Sequence, residues 1–350
     1  MKKFKKSILI CLSIVFLFGA SSGFSKVYHF TYSCLFPLSN NLGKLAYQWC
    51  KEVEKRTHGQ VKITFYPGCT LTKPAQVYDG VITGRSDIGQ SCLIYTRGRF
   101  PLMSFIHLPF GNPSGEFATA IINEVYNRFK PKELDDVKVL YLHAHGPGLI
   151  HLRNKPVFKL ADFKGLKIRT PGAVADMIKA LGAIPLSMPM PELYQSLQRG
   201  VVDGAVFPEE AAKGWKLAEV THYTVVAYPI AYSVGFFVVM NKKKWEELPK
   251  NIQKIIDEID REWIIKTGKT WDMSDYDGIK FSLSLGNQII GIPPKEAKKW
   301  KEKVRVVIDN YIKMTESKGL PGKKVIDFLF KSLKEYKEGK FKSPYISHGY

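Results

Sequence analysis

The most constraining feature of this sequence is a regular alternation of short apolar segments with amphipathic segments between residues 161 and 211. The apolar segments predict strands, and the segments with apolar residues at every third or fourth position predict helices. The predicted order is strand 166–169, helix 173–181, strand 184–188, helix 191–199 and strand 204–207. This order predicts a parallel sheet with helices packed on its faces.

The N-terminal half of the chain has the same plan, although no sequence repeat is visible. Its predicted elements are strand 26–33, helix 41–56, strand 61–66, helix 77–83, strand 86–90, helix 116–129 and strand 137–143. Two α/β units of this kind favour an α/β clamshell with two lobes, in which a ligand binds at the carboxyl ends of the strands, between the lobes. We expect closure by a hinge motion.

The remaining segments indicate how the chain passes between the lobes. Residues 234–241 are β-like and predict a strand that returns to the first lobe. Pro249 opens a long predicted helix, a Lys-rich helix follows from Pro293, and residues 341–350 are expected to be a loosely held tail. We therefore assign residues 26–152 and 234–278 to the first lobe, and residues 153–233 and 279–350 to the second.

Residues 1–25 have the pattern of a secretory signal peptide. Lysines precede an apolar run from Ile8 to Phe18, and small residues follow it. The run is shorter than the roughly 20 apolar residues of a membrane-spanning helix, and no later segment is long and apolar enough. We therefore expect export to the periplasm without stable insertion into the membrane.

The chain is strongly basic, with a formal net charge of +20. Such a charge raises nucleic-acid binding as a function, but export argues against it. The lysines are also dispersed over predicted helices and are not interleaved with stacking aromatic residues. The charge is therefore typical of a solvated basic surface, and an attraction for anionic solutes or for a membrane partner stays open.

Four cysteines follow the signal segment, and an oxidising compartment permits disulfides among them. Cys34, Cys69 and Cys92 each follow a strand-like run, so both a disulfide among these three and free thiols are open alternatives. Cys50 lies on a helix face and is expected to be buried and unreactive. No pair has the close spacing of a zinc site.

Arg169 is the strongest single candidate for a binding residue. It stands at the end of a predicted strand, just before a Thr-Pro-Gly turn. A guanidinium group in that position can bind a carboxylate through two parallel hydrogen bonds. The helix that starts near Ala173 directs its positive end toward the same region. These features predict a site for an anion.

Four motifs in this region occur in order: Asp-Phe-Lys-Gly-Leu-Lys-Ile-Arg at 162–169, Ala-Leu-Gly-Ala at 180–183, Met-Pro-Met-Pro-Glu-Leu-Tyr at 188–194 and Leu-Gln-Arg-Gly-Val-Val-Asp-Gly at 197–204. With weaker matches at 61–68 and 239–249, they make the chain resemble the solute-binding subunits of tripartite ATP-independent periplasmic (TRAP) transporters, the DctP family. The resemblance covers essentially the whole chain after the signal segment. It implies a long helix along both lobes, a small organic acid as ligand, no cofactor, and a small and a large membrane subunit as partners.

The resemblance also implies roles for individual residues. In this family the arginine of the first motif holds the solute carboxylate, which agrees with the prediction for Arg169. Phe207 stands where many members have a polar residue, so we expect a solute with an apolar or aromatic body; an ordinary core phenylalanine is the alternative. Further pocket candidates are Gln90, Cys92, Ser33, Phe36, Tyr95 and Tyr232, together with Lys155 as a second anion contact or an exposed hinge residue.

Signals for an enzyme are weak. After the signal segment, the sequence has no Gly-x-Ser-x-Gly elbow, no His-Glu-x-x-His motif and no phosphate-binding glycine loop. His143, His145 and His151 raise the idea of a metal, and Glu209 and Glu210 could reach the pocket, but no carboxylate pair completes a ligand set. We predict no metal. A receptor of an ATP-driven (ABC-type) importer, a secreted hydrolase and a sensory protein that presents a solute stay open as alternatives.

Overall fold

The computed structural model describes residues 26–346, so the predicted signal peptide at 1–25 lies outside the described residues. Within this range the strands are β1 (Tyr28–Cys34), β2 (Val61–Tyr66), β3 (Ile88–Cys92), β4 (Val137–Ala144), β5 (Gly148–Leu152), β6 (Lys167–Thr170), β7 (Ile184–Ser187), β8 (Gly204–Pro208), β9 (Tyr223–Val226), β10 (Gly235–Asn241) and β11 (Gln288–Gly291). The helices are α1 (Asn41–Arg56), α2 (Val77–Ile82), α3 (Gly115–Phe129), α4 (Ala175–Leu181), α5 (Leu193–Gln198), α6 (Glu210–Gly214), α7 (Lys242–Glu246), α8 (Lys250–Ser284), α9 (Pro294–Ser317) and α10 (Gly322–Lys337).

The strands form two mixed sheets, one in each lobe. The first sheet has the order β2-β1-β3-β10-β4, and its strand β10 runs antiparallel to both of its neighbours. The second sheet has the order β11-β9-β5-β8-β6-β7, and β5 runs antiparallel to β8 and β9. The remaining pairs are parallel. The predicted two-lobed α/β architecture is confirmed.

Both faces of the first sheet are covered, as the side chains of β10 show. Phe236, Val238 and Met240 belong to the core that also contains the apolar face of α1. Phe237 and Val239, which alternate with them, belong to the core beneath α2 and α3. Period-2 alternation between two apolar cores is the pattern of a fully buried strand.

Helix α8 has 35 residues, which at 1.5 Å per residue gives a length of about 52 Å. It packs against α1 and α3 of the first lobe and against α6 of the second. Gly278 permits the second contact, because a Cβ atom there would lie 1.8 Å from the carbonyl oxygen of Glu209. The helix therefore runs along both lobes, as the family resemblance implies. Across residues 26–346, no helix is long and apolar enough to cross a membrane.

The chain crosses between the lobes at other points than the sequence predicted. Residues 148–152 form β5 of the second sheet, so the first crossing precedes residue 148 and the expected boundary at 152 is wrong. Helix α10, expected in the second lobe, packs on α3 of the first, where the Tyr336 hydroxyl lies 3.0 Å from Oγ of Ser114. The described part of the tail is also held, because Oγ of Ser343 donates to Glu124 at 2.7 Å.

Candidate functional site: a cavity between the lobes

A cavity lies between the lobes, at the carboxyl ends of β1, β3, β6 and β8. Its walls also include residues from the segments before β5 and β10, from α6 and from α8. Open α/β sheets place their ligand sites at this edge. The cavity volume is about 30 Å³, which is room for about one water molecule. The walls must therefore separate before a larger molecule can enter.

Arg169 is held at the end of β6 with its guanidinium group in the cavity wall. Its side chain is 1% exposed. Nε donates to the carbonyl oxygen of Met188 at 2.9 Å, and Nη1 donates to that of Val206 at 3.4 Å. Nη2 is buried and has no hydrogen-bond partner in the described part of the chain. The guanidinium thus retains one unused donor group.

The turn after Arg169 brings the two lobes close together. Gly172 has a φ angle of +44°, in the left-handed region that favours glycine, and a Cβ atom there would lie 2.8 Å from the carbonyl oxygen of Ile94 in the first lobe. The helix expected from residue 173 begins at Ala175 and has only seven residues. Because so short a helix has a small dipole, the guanidinium dominates the positive charge at this site.

Aromatic side chains form a large part of the cavity wall. Phe36 follows β1, Phe236 lies on β10 and Trp271 lies on α8, and their ring centroids are 5.3–5.9 Å apart. Trp215 completes this group from the second lobe, 6.4 Å from Phe36. Such distances are those of favourable aromatic contacts, so the wall is suited to an apolar or aromatic surface.

Three further predicted residues line the cavity: Cys92, Tyr95 and Tyr232. The Tyr95 hydroxyl accepts a hydrogen bond from the backbone N–H of Met190 at 3.0 Å, which joins the two lobes. Burial raises the pKa of the Cys92 thiol well above its ordinary value. The ring of Tyr232 packs so closely on Gly148 that a Cβ atom there would lie 2.2 Å from it. These three side chains form the polar part of the wall near Arg169.

Phe207 lines the cavity and is also packed in the second lobe. Its ring stacks on the imidazole of His151, with centroids 3.6 Å apart and an interplanar angle of 5°. His151 is fixed from both sides, because its ring nitrogens lie 3.0 Å from Thr224 Oγ1 and 3.1 Å from the Phe207 carbonyl oxygen. Phe207 therefore lies in the cavity wall and in the core of the second lobe at once, so its position does not separate the two alternatives.

Gln90 does not line the cavity and lies behind its aromatic wall. Its side-chain amide is 2.9 Å from Nε2 of His143, 3.2 Å from the Tyr32 hydroxyl and 3.0 Å from the Cys34 sulfur. The indole N–H of Trp271 can only donate, so Nδ1 of His143 accepts from it at 3.1 Å and Nε2 carries the hydrogen. The amide oxygen of Gln90 then faces His143, and its NH₂ group faces Tyr32 and Cys34. The polar atoms of this cluster satisfy one another.

Ser33 and Lys155 also lie away from the cavity. The Ser33 hydroxyl is buried 2.5 Å from that of Thr72, so it is occupied within the first lobe. Lys155 is exposed in the loop after β5. Neither side chain lines the cavity. A position near a strand end brings the backbone close to the cavity, but the direction of the side chain decides whether it faces the cavity.

Glu210 lines the cavity from the second lobe. Oε1 accepts a hydrogen bond from Nδ2 of Asn40 at 2.5 Å, and Asn40 also caps α1 of the first lobe by accepting from the backbone N–H of Leu42. The backbone N–H of Glu210 donates to Asp275 on α8 at 2.7 Å. Burial raises the pKa of Glu210 to about 7. The bond between Asn40 and Glu210 therefore joins the two lobes directly.

Sequence reasoning missed Phe236, Trp271 and Trp215 as wall residues. Phe236 lies in a correctly predicted strand, but the sequence alone does not show which face of the sheet its side chain occupies. Trp271 follows Trp263 and Thr267 at intervals of four residues, and all three are buried, so the helical period carried a usable signal. Trp215 has no such signal, because α6 was not predicted.

The cysteines and histidines give no metal or disulfide site within residues 26–346. The four cysteines are free thiols, and no group of three His, Cys, Asp or Glu side chains could hold a metal ion there. The three histidines considered as a metal site are separate: His143 bonds to Gln90 and Trp271, His145 to the Gly146 carbonyl, and His151 packs on Phe207.

Comparison with known proteins agrees with this architecture. Residues 34–314 match the family of bacterial extracellular solute-binding proteins, family 7, DctP. A TRAP periplasmic solute-binding protein from Desulfovibrio salexigens, in an open complex with the C-terminus of a symmetry mate in its ligand-binding site, is 31% identical, covers 90% of this chain and 98% of its own, and has a TM-score of 0.79.

Two other solved structures are equally similar. The TRAP solute-binding protein of Rhodoferax ferrireducens, in complex with copurified benzoate, is 30% identical, with 87% of this chain and 96% of that chain covered and a TM-score of 0.82. A marine metagenome TRAP solute-binding protein specific for aromatic acid ligands, in complex with 3-hydroxybenzoate, is 30% identical, with 87% and 97% covered and a TM-score of 0.82. A hydrolase and an ATP-driven importer's receptor are therefore not favoured. Because the family match covers most of the chain, the protein belongs to the bacterial extracellular solute-binding protein family 7, DctP, whose members are solute-binding receptors of TRAP transporters and not enzymes.

Proposed function

We propose that this protein captures a small monocarboxylic acid with an apolar, preferably aromatic, body and delivers it to the membrane subunits of a TRAP transporter. Arg169 holds the carboxylate in this proposal. Phe36, Phe236, Trp271 and Phe207 enclose the body of the solute.

The observation that carries the proposal is the unused donor of Arg169. A buried guanidinium whose hydrogen bonds go only to backbone carbonyls is incompletely compensated, and Nη2 has no partner in the described chain. Burying an ionised group without a partner costs free energy, whereas a carboxylate would accept a charge-assisted hydrogen bond from it. A carboxylate therefore fits this position better than a neutral group does.

The aromatic wall supports an apolar or aromatic body. A polyhydroxylated acid would need a hydrogen-bond partner for each buried hydroxyl group, and the rings of Phe36, Phe236 and Trp271 offer none. Two relatives of similar length hold benzoate and 3-hydroxybenzoate. These ligands have one carboxylate on an aromatic ring, which is the combination that Arg169 and the wall would recognise.

The small cavity volume supports a cycle of opening and closing. An aromatic acid does not fit into about 30 Å³, so it enters while the lobes are apart and is enclosed when they close. DctP-family proteins are periplasmic. We infer that the loaded, closed form docks on a small and a large membrane subunit, and that an ion gradient drives import.

Thermal unfolding with a panel of acids tests the proposal. A ligand that binds only the native state raises the unfolding midpoint by mass action. Benzoate and related acids should raise the midpoint of the wild type and of the control Lys155→Ala, whose lysine is exposed and outside the cavity. Arg169→Ala should lose the shift, with a dissociation constant at least about a hundredfold higher by calorimetry.

Two results would overturn the proposal. One is an equal shift with Arg169→Ala and wild type, which would place the carboxylate elsewhere. The other is an equal shift with benzamide and benzoate, which would show that the ligand charge is not recognised.

A further inference from the structure

We propose that His145 is a hydrogen-bond acceptor in the cavity wall that selects acids carrying a hydroxyl donor in addition to their carboxylate. This inference rests on the proposed function, since it concerns the same ligand. It narrows the solute class from aromatic or apolar acids to hydroxy-substituted ones.

The hydrogen-bonding state of His145 follows from one contact. Its Nδ1 lies 2.6 Å from the carbonyl oxygen of Gly146. A carbonyl oxygen can only accept, so Nδ1 carries the hydrogen, and in a neutral imidazole Nε2 is then the acceptor. Burial lowers the pKa of His145 to about 4, so the ring stays neutral around pH 7. Because Nδ1 makes the bond to Gly146, Nε2 is the ring atom that is left to accept a hydrogen bond from a ligand.

Packing prevents the ring from turning to a different state. The Tyr232 ring meets the imidazole edge to face at 5.4 Å, and the Trp271 ring lies at 6.0 Å. The backbone is pinned as well, because the His145 carbonyl oxygen accepts from Ser233 Oγ at 2.6 Å and from Asn112 Nδ2 at 3.1 Å. A flipped ring would lose the bond to Gly146.

The cavity therefore presents two opposite requirements. Arg169 offers an unused donor, and His145, a residue of the same cavity wall that is 3% exposed, offers an unused acceptor. A carboxylate satisfies the first but is repelled by the lone pair of the second. A hydroxyl group satisfies the second, because it can donate. An acid with both groups meets both requirements, whereas an unsubstituted acid leaves the lone pair without a partner.

Binding measurements on matched acids test the inference. The probes are benzoate, its three hydroxy isomers, 3-methoxybenzoate, phenylacetate and mandelate, each titrated by calorimetry into wild type, His145→Phe and His145→Gln. We expect the wild type to bind at least one hydroxy acid about tenfold more tightly than its unsubstituted parent. A methoxy group should give no such gain, because it cannot donate.

His145→Phe should remove the tenfold preference while unsubstituted acids still bind. His145→Gln keeps an amide acceptor and should keep part of the preference. Its affinities for the same acids test the inference if His145→Phe does not fold. The inference is overturned if no hydroxy acid is preferred, if methoxy and hydroxy compounds bind equally, or if the preference survives in His145→Phe. Failure of all acids to bind the wild type would instead contradict the proposed function.

Discussion

The two walls of the cavity use their buried polar groups in different ways. In and behind the first-lobe wall, Trp271, His143 and Gln90 form hydrogen bonds with one another. In the second-lobe wall, Arg169 keeps a buried donor without a partner. Of these two buried sets, only Arg169 offers an unmatched donor to a ligand.

This difference separates stability from recognition. A satisfied buried polar cluster fixes one arrangement of a core, and losing a member leaves its neighbours without partners. An unsatisfied buried group costs stability in the ligand-free protein and is compensated when a ligand supplies the missing partner. We therefore expect substitutions in the two walls to have opposite consequences.

Arg169→Met should have the largest effect on binding, which it weakens. It should not lower the stability of the ligand-free protein. Binding of a carboxylate should weaken by roughly a hundredfold or more, because its charged partner is gone. The free energy of unfolding of the ligand-free protein should be unchanged or higher by about 1–2 kcal/mol, since a partly uncompensated buried charge is replaced by an apolar side chain. Calorimetry and urea unfolding measure the two quantities.

Arg56→Met is the matched control for this prediction. Arg56 is fully paired, with bonds of 2.7 Å to Glu52 and Glu262. Its removal should lower stability by up to about 1 kcal/mol and leave binding unchanged. If Arg169→Met lowers stability more than Arg56→Met does, then Arg169 is a structural residue and the contrast between the walls is wrong.

Gln90→Leu should show the reverse pattern. It leaves the Nε2–H of His143 and the Tyr32 hydroxyl without their partner, which should cost about 2–4 kcal/mol of unfolding free energy. Affinity for the acid should change little, because Gln90 lies behind the wall. Gln48→Leu, at an exposed position of α1, should shift stability by less than about 0.5 kcal/mol. A large loss of affinity with intact stability would place Gln90 in the binding site.

The sequence predicted those elements that have a clear local period. Helix α1 and strand β2 have the predicted limits, and β10 was expected in the first sheet. Strands β5, β9 and β11 were missed. They have only four or five residues each, and their partners are remote in the chain, so pairing rather than local pattern defines them. The position of the first crossing was wrong for the same reason.

The candidate site was predictable where a charged residue stood at a strand end. Arg169 lies in the cavity wall near the end of β6, shortly before a Pro-Gly turn. Ser33 and Gln90 also stand near strand ends, but their side chains find partners in Thr72 and His143, which no local pattern could reveal. Trp271 reaches the cavity from a helix far along the chain.

The hydrogen bond between Asn40 and Glu210 joins the two walls of the cavity. A Cβ atom at Gly214 would lie 2.0 Å from Oε1 of Glu210 and 2.6 Å from Nδ2 of Asn40, so Gly214→Ala should open their hydrogen bond. The closed form loses this bond, and affinity should fall about tenfold. Both clashing atoms end flexible side chains, so the lobes themselves should stay folded.

Gly291→Ala is the control for this substitution, because a Cβ atom there meets nothing within 4 Å. It should leave affinity unchanged. Calorimetric affinities and far-UV circular dichroism of both variants decide the outcome. An affinity of Gly214→Ala equal to that of the control would show that the Asn40–Glu210 bond does not stabilise the closed, loaded form.

The smallest expected effect is a pH dependence that separates Glu210 from three neighbouring carboxyl groups, those of Glu209, Asp272 and Asp275. Burial raises the pKa of Glu210 to about 7, whereas in an opened cleft the solvated carboxyl returns toward its ordinary value near 4.5. The closed form then holds the proton more tightly, so closure is favoured at low pH and this advantage is lost as pH rises through 7. A charged Glu210 would also repel the ligand carboxylate.

Affinity of the wild type should therefore fall several-fold from pH 6 to pH 8, measured by calorimetry. Glu210→Gln should flatten this pH profile while its amide oxygen still accepts from Asn40. Glu209→Gln removes a carboxyl whose pKa is also raised to about 7 but whose side chain contacts Thr224 within the second lobe, so this variant should keep the wild-type slope. Equal slopes in wild type and Glu210→Gln would show that the carboxyl between the walls does not titrate with closure.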